Sequence, residues 1–353
     1  MINYVFSFHN YSVLIKFLRE NEIEIVHLHG FIGALSSSIL LALKRAKKKK
    51  RFVIVQTMHD FHVACPNSAF FDYSKNIICE KCLTKKIKLF SFLNSCDRRG
   101  LLFSIIKGIR SIVAINMFGH KQLIDKFIAP SKFMSEKLKS DGIASEKIFI
   151  VRNPIPIVIN KNIGVKRNII CYFGRFSKEK DIPFIINSFA FWKEKRKNDF
   201  KLYLIGSGDE ENNIRLMSSK SNFCDDIIIK NFMHAKELAL FIEPCKYFVM
   251  ASRLFENAPM GILEAVSLGI IPIVPDLGGM KETVENMINI GRTYKMGNVD
   301  SFVQKIDELE EVYSNEINKI EKLKPKFTQN FGVDAYLLQL SALYKEWYSA
   351  HAS

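Results

Sequence analysis

Two glutamates, Glu256 and Glu264, stand at Glu-x7-Glu spacing in the stretch FVMASRLFENAPMGILEAVSLGIIPIVPDLGGMKETV, residues 248–284. The stretch reads as a strand end at Phe248–Ala251 and a polar loop over Ser252–Ala258 carrying Arg253. A helix with Pro259 in its first turn follows and stops at Gly269. Ile270–Val274 is the next strand, and Gly278-Gly279 opens the next helix. Glu264 lies five residues past Pro259, about 7.5 Å along the helix axis. A ligand spanning that distance would set its anionic part at the helix N-terminus, where free N–H groups favour negative charge. Its hydroxyls would lie beside Glu264, a carboxylate able only to accept. A nucleotide sugar has this layout of ribose diol, diphosphate and sugar. The same residues also describe a buried crossover helix with two incidental glutamates, and this stretch alone leaves both readings open.

Other strand ends carry further chemistry. After a strand at Asn168–Phe173 comes GRFSKEK, in which Gly174 lets backbone approach a ligand and Arg175 and Lys180 offer fixed positive charge to a diphosphate. Gly206-Ser207-Gly208-Asp209 follows a strand at Phe200–Ile205. The strand Phe52–Thr57 ends in His59-Asp60, and the strand Ile23–His27 runs into His27-Leu28-His29. A histidine at such an edge suits hydrogen bonding to a hydroxyl or stabilisation of charge. Cys65, Cys79, Cys82 and Cys96 fall within 32 residues, with one C-x2-C pair and two equal gaps of 13. They suit either a tetrahedral zinc site or four reduced thiols in an irregular insertion.

The elements that must position these residues alternate between strand and helix along the chain. Ile2–Ser7 is expected as a strand and Tyr11–Asn21 as a helix. One helix is expected over Phe31–Leu43, followed by a basic loop at Lys44–Arg51. Lys132–Ser140, Asp181–Lys195, Ala235–Phe241, Val299–Leu323 and Ala335–Trp347 are expected as helices, with strands at Ile148–Val151 and Asp226–Ile229. Lys85–Ile115 mixes basic and apolar residues in the manner of amphipathic helices, either ordinary surface helices or helices lying on anionic lipid. Pro154 and Pro156 stiffen a joint between two halves.

The 353 residues suffice for two α/β domains. Formal net charge is +15. Residues 1–155 hold 25 Lys+Arg against 11 Asp+Glu, a net of +14, which leaves 26 against 25 for the remainder. An anionic partner of the first half is the functional reading of this asymmetry, and a solvated lysine-rich surface the bland one. No run of 18 apolar residues occurs and no secretory leader is evident, so with seven cysteines the chain is expected to be cytoplasmic and reduced.

The words ENAPMGILEAVSLG and GGMKE, with GRFSKEK, IGSG, QTMHDF and IVHLHG falling in the family's order, resemble the retaining GT-B glycosyltransferases of family 4 (glycosyl transferases group 1). Bacterial capsular and exopolysaccharide enzymes are the nearest in kind. The resemblance implies an α/β, GT-B fold with two Rossmann-like domains facing across a cleft. Residues 1–155 would form the acceptor side, with a Cys-containing insertion at 62–100, and residues 156–330 the nucleotide-sugar domain. Residues 331–353 would be a helix packing back on the first domain. The family's opening strand and Gly-rich loop find no counterpart here, and loss of that central strand is expected to expose two strand edges. Asp181 stands where the family has glycine and is expected to change that turn.

By the same resemblance, Arg175 and Lys180 neutralise a departing diphosphate, Glu264 holds the ribose, Glu256 faces the donor sugar and His59 sits across the cleft. Gly174, Gly206, Gly208, Asn257, Ala258, Pro259, Met260, Gly261, Gly278 and Gly279 would line the donor site. Catalysis would need no metal, and no Asp-x-Asp motif is present. Structural zinc at the four cysteines stays a separate expectation. The implied activity is glycosyl transfer with retention, from a UDP- or GDP-linked sugar to a glycan or lipid-linked glycan in surface polysaccharide synthesis, at the inner membrane face. Alternatives are a non-catalytic donor-binding remnant, a sugar-nucleotide epimerase of the same fold, and a basic nucleic-acid-binding protein. The last lacks any stacking motif, so no nucleic acid is expected.

Overall fold

A computed structural model describes residues 2–155 and 164–352; Pro156, expected in the joint, lies outside them. The chain divides into two units. One comprises the residues up to Arg152 and the C-terminal segment from Tyr336, and the other runs from Asn153 to Ala335.

The first unit holds a parallel sheet of β1 (Ile25–His29), β2 (Val53–Thr57), β5 (Lys126–Ala129) and β6 (Ile148–Ile150), paired in that order. Between β2 and β5 the chain makes an excursion containing a short antiparallel pair, β3 (Phe71–Asp72) and β4 (Ile77–Ile78). Parallel sheets need cover on both faces. Leu340 and Trp347 of the Val333–Ala352 helix supply part of it, packing on Val53, Val55, Ile128 and Val151.

The second unit holds a six-stranded parallel sheet in the order β12-β11-β10-β7-β8-β9. In chain order these are β7 (Arg167–Phe173), β8 (Lys201–Ile205), β9 (Ile227–Lys230), β10 (Cys245–Val249), β11 (Ile271–Pro275) and β12 (Arg292–Tyr294). The sequence of β7, NIICYF after Arg167, is nearly continuous in apolar residues because helices cover both of its faces. The chain builds outward from β7 through β8 to β9, then returns to β7's other side with β10. The sheet therefore has its topological switch point between β7 and β10.

Several expectations are corrected. Ile2–Ser7 is not a strand: Ile2–Val5 is helical, and Ser7 caps a second helix, Phe8–Glu20, by accepting from the Asn10 amide at 3.2 Å. The helix expected over Phe31–Leu43 breaks into Phe31–Ala34 and Ser38–Ala46, and the second piece takes up the start of the supposed basic loop. Ser36, at φ +62°, makes the break and accepts a hydrogen bond from the Ser7 amide. The helix expected over Val299–Leu323 divides at Val312 and continues to Phe331. β1, β2, β5 and β6 pair without interruption, so the expected opening in the middle of the sheet is not found. Asp181 takes the left-handed conformation, φ +49°, a region glycine enters without strain. Among the described residues no helix is long and apolar enough to cross a membrane.

Candidate functional site

In an open parallel sheet, ligands bind beyond the carboxyl ends of the strands at the switch point. Four loops meet that description in the second unit. Gly174-Arg175 follows β7, Gly206-Ser207-Gly208 follows β8, Ser252–Pro259 lies beyond β10, and Gly278-Gly279 lies beyond β11. Glycine lets these loops lie backbone against backbone. A Cβ on Gly206 would run into the Gly174 carbonyl, and one on Gly279 into the Asn257 carbonyl. The Phe176 amide donates to the Ser207 carbonyl at 2.8 Å, and the Gly279 amide to the Glu256 carbonyl at 2.8 Å. The loops are thereby held to one another by main chain.

Lys180 forms an ion pair with Glu256, whose carboxylate also accepts from the Ser252 hydroxyl at 2.8 Å. Arg175 donates to the buried Glu179 at 2.9 Å. Both expected phosphate-binding cations thus have carboxylate partners, and an incoming diphosphate would compete with Glu256 and Glu179 for them. Arg253 pairs with Asp181 at 2.7 Å and donates its amide to the Glu179 carbonyl at 2.9 Å, tying the Ser252–Pro259 loop to the turn after Lys180. Ser252, Glu179 and the Asp181–Arg253 pair were not singled out by sequence as site residues, because nothing local marks their partners.

A cavity of about 490 Å³ opens beside Gly174, Arg175, Gly206 and Gly208. A second, of about 280 Å³, reaches Glu264. Phe173, Phe232, Met233 and Leu238 line both. Burial pushes the Glu264 carboxyl above its ordinary value. Pro259 directly precedes the Met260–Ser267 helix, so the amides of Met260 and Gly261 belong to its first turn, where the helix itself supplies no acceptor. Asn257 and Ala258 lie in the preceding loop. The structure therefore gathers every donor-site residue expected from the sequence along one edge of this unit.

His59 lies in the other unit, at the carboxyl end of β2. The parallel register sets His29 beside Thr57. His29 Nδ1 lies 2.9 Å from His59 Nε2, while His27 bonds Thr57 Oγ1 at 2.8 Å and the Tyr344 hydroxyl. Burial lowers all three histidines, and the neighbouring imidazoles lower His27 further, to about 4. His59 is therefore a neutral hydrogen-bonding group at neutral pH. Burial would raise Asp60, but His62 and Arg110 outweigh it and hold the carboxyl below its usual range. Asp60 accepts from His62 Nδ1 at 2.5 Å, Gln56 Nε2 donates to His62 Nε2 at 3.0 Å, and His120 Nε2 donates to Gln56 Oε1 at 2.7 Å. This chain, buried at Gln56, His62 and His120, anchors the segment that carries His59. His62 and His120 had no sequence signal, because their partner Gln56 sits inside a strand.

Cys65, Cys79, Cys82 and Cys96 are all free thiols within the excursion between β2 and β5. Among the described residues, no group of three or more His, Cys, Asp or Glu side chains is placed to hold a metal ion.

Two family models match in tandem: Glycosyltransferase Family 4 over residues 3–158 and Glycosyl transferases group 1 over residues 157–326. A lipopolysaccharide 1,6-galactosyltransferase of Salmonella typhimurium is 25% identical over 215 residues, 59% of this chain and 57% of that protein. The chain thus matches little more than half the length of that relative. Among solved structures, the apo lipopolysaccharide outer core galactosyltransferase WaaB aligns with a TM-score of 0.62 at 20% identity, covering 96% of this chain and 79% of that one. Anabaena Alr3699/HepE in complex with UDP aligns with a TM-score of 0.68 at 14% identity, covering 95% and 82%.

Proposed function

The chain belongs to the family 4 GT-B glycosyltransferases, and from that premise we propose that it transfers a sugar, with retention, from a nucleotide-diphosphate sugar to a glycan or lipid-linked glycan of a surface polysaccharide. The observation that carries this reading is the Lys180–Glu256 ion pair, set at the switch point beside the glycine loops and the cavity reaching Glu264. Lys180 and Arg175 exchange their carboxylate partners for the diphosphate and stabilise its charge as it leaves. Glu264 accepts from the ribose hydroxyls. Released from Lys180, Glu256 faces the donor sugar. The bond from the anomeric carbon to the diphosphate oxygen breaks, the acceptor oxygen bonds to that carbon from the same face, and the acceptor's proton passes to the departing phosphate.

UDP in the HepE complex supports a uridine nucleotide as the first donor to try, with GDP sugars as the comparison. The name of the Salmonella relative supports a lipid-linked saccharide acceptor. The net charge of +14 on residues 1–155, with Leu89, Leu93, Leu101, Leu102 and Ile109 exposed, supports docking on the anionic inner face of the cytoplasmic membrane.

The test is transfer from labelled UDP- and GDP-sugars to lipid-linked saccharides, with product configuration read by NMR. Retained anomeric configuration is expected. An inverted product would overturn the retaining mechanism, and nucleotide binding without transfer to any acceptor would favour a donor-binding remnant. Co-sedimentation with anionic vesicles, weakened by salt, is expected for the membrane surface; equal binding to neutral vesicles would contradict it.

A further inference from the structure

His29 and His59 stand side by side beyond two paired strands of the first unit. β1 stops at His29, and Gly30, at φ +48°, turns the chain away. His59 comes two residues after the end of β2. Asp60 behind it accepts from the His62 amide at 2.8 Å as well as from the His62 ring, which fixes the turn. His27 and His29, two residues apart on a strand, share one face of the sheet, and their ring centroids lie 4.1 Å apart. His27 is itself held at both nitrogens, by Thr57 and by the Tyr344 hydroxyl of the C-terminal helix. It forms a fixed wall behind His29.

His29 Nδ1 and His59 Nε2 lie 2.9 Å apart, with ring centroids 5.2 Å apart and ring planes inclined by 27°. The nitrogens therefore meet edge to edge, the arrangement in which a ring N–H points along its neighbour's in-plane lone pair. A neutral imidazole has one donor nitrogen and one acceptor nitrogen. Two such rings sharing this bond have only two arrangements. In the first, His59 donates from Nε2, its Nδ1 is an acceptor and His29 Nε2 is a donor. In the second, His29 donates from Nδ1, His59 Nδ1 is a donor and His29 Nε2 is an acceptor. In both, the two rings are the same tautomer, and the two outward nitrogens have opposite roles. Among the described residues neither outward nitrogen has a hydrogen-bond partner, and both residues are exposed.

On the reading that the chain transfers a sugar with His59 facing it, we propose that His29 is the positioning residue for His59. It fixes the tautomer and orientation of His59, and the pair presents one donor and one acceptor to the hydroxyls of a sugar bound at this edge. A hydroxyl both donates and accepts, so adjacent sugar hydroxyls match a surface that carries one group of each kind. Which nitrogen of an imidazole carries the proton is set by the bond the other nitrogen makes. A solitary His59 would exchange between tautomers and turn about its side-chain bonds. The bond to His29, backed by His27, removes both freedoms before the substrate arrives.

Nitrogen-15 NMR of the histidine-labelled full chain, free of nucleotide and mildly alkaline, reads the tautomer of each ring, with His29→Phe and His59→Phe assigning the signals. His29 and His59 should show the same single tautomer, and His59 should become a mixture in His29→Phe. Opposite tautomers in the parent, or a His59 signal unmoved in His29→Phe, would overturn the proposal. In steady-state transfer, His29→Ala should lower kcat about tenfold, the effect of one net hydrogen bond, with the donor KM little changed. His29→Asn, whose amide reaches the place of Nδ1, should recover most of that loss. Equal losses in the Ala and Asn variants, or a loss confined to KM, would also overturn it. Should a variant fail to fold, the tautomers of the parent still decide. Absence of any transfer by the parent would count against sugar transfer itself, whereas the tautomers are read without nucleotide or acceptor.

Discussion

At Glu264, function and stability pull in opposite directions. Burial raises its pKa, so folding takes up protons at this site in the window between the usual carboxyl value and the raised one. Stability from this group is therefore present at low pH and lost as pH rises through the folded pKa. Glu264→Gln should raise the melting temperature of the nucleotide-free protein at pH 7 and abolish the further rise given by nucleotide. A variant stabilised by nucleotide as well as the parent would show that the carboxylate does not hold the ligand. Lys180→Ala should lower transfer by roughly 10²–10³-fold, the size of effect seen when one group stabilising developing charge is removed; steady-state kinetics at saturating donor reads it. The placement of Glu256, Glu264 and Lys180 at this edge was legible because their spacing to a strand end and a helix start is local. Ser252 and the Asp181–Arg253 pair were not, because the contacts that give them meaning bridge separate loops.

At the scale of elements, the donor edge depends on loops packed at main-chain distance. Gly279→Ala would drive a methyl into the Asn257 carbonyl, and the loop carrying Glu256 must shift. A loss of about 1–3 kcal/mol is expected by urea denaturation, together with weaker nucleotide binding. Unchanged values on both counts would mean that the two loops are not coupled. β7 to β11 were legible because a sheet covered on both faces demands continuous apolar runs; β12, with only Arg292, Thr293 and Tyr294, has no such run and was not expected. The breaks in the Phe31–Ala46 region and at Val312 were not. Ser36 makes the first of them with a hydrogen bond to Ser7, 29 residues away, which no helical periodicity records.

For the molecule as a whole, the two units carry different chemistry and should answer differently to acid. His27 is partly buried and His29 and His59 lie against it and each other, so all three are held towards the neutral form in the folded chain, whereas the unfolded chain takes up protons at ordinary histidine values. Stability of the first unit should therefore rise with pH through the window from about 4, the folded value for His27, to the ordinary histidine value, and be lost on acidification through it. His27→Gln should flatten the dependence of melting temperature on pH there; an unchanged slope would place the acid sensitivity elsewhere. The α/β class and the basic first half were legible from strand–helix alternation and charge. The Asp60–His62–Gln56–His120 chain was not, because it links β2 to a helix start 64 residues beyond Gln56. Whether the edge between β7 and β10 holds a nucleotide-diphosphate sugar is decided by thermal stability measured against UDP, GDP, ADP and their sugars. A clear rise is expected with one nucleotide, lost in Glu264→Ala. No rise with any nucleotide, in protein that melts cooperatively, would contradict it.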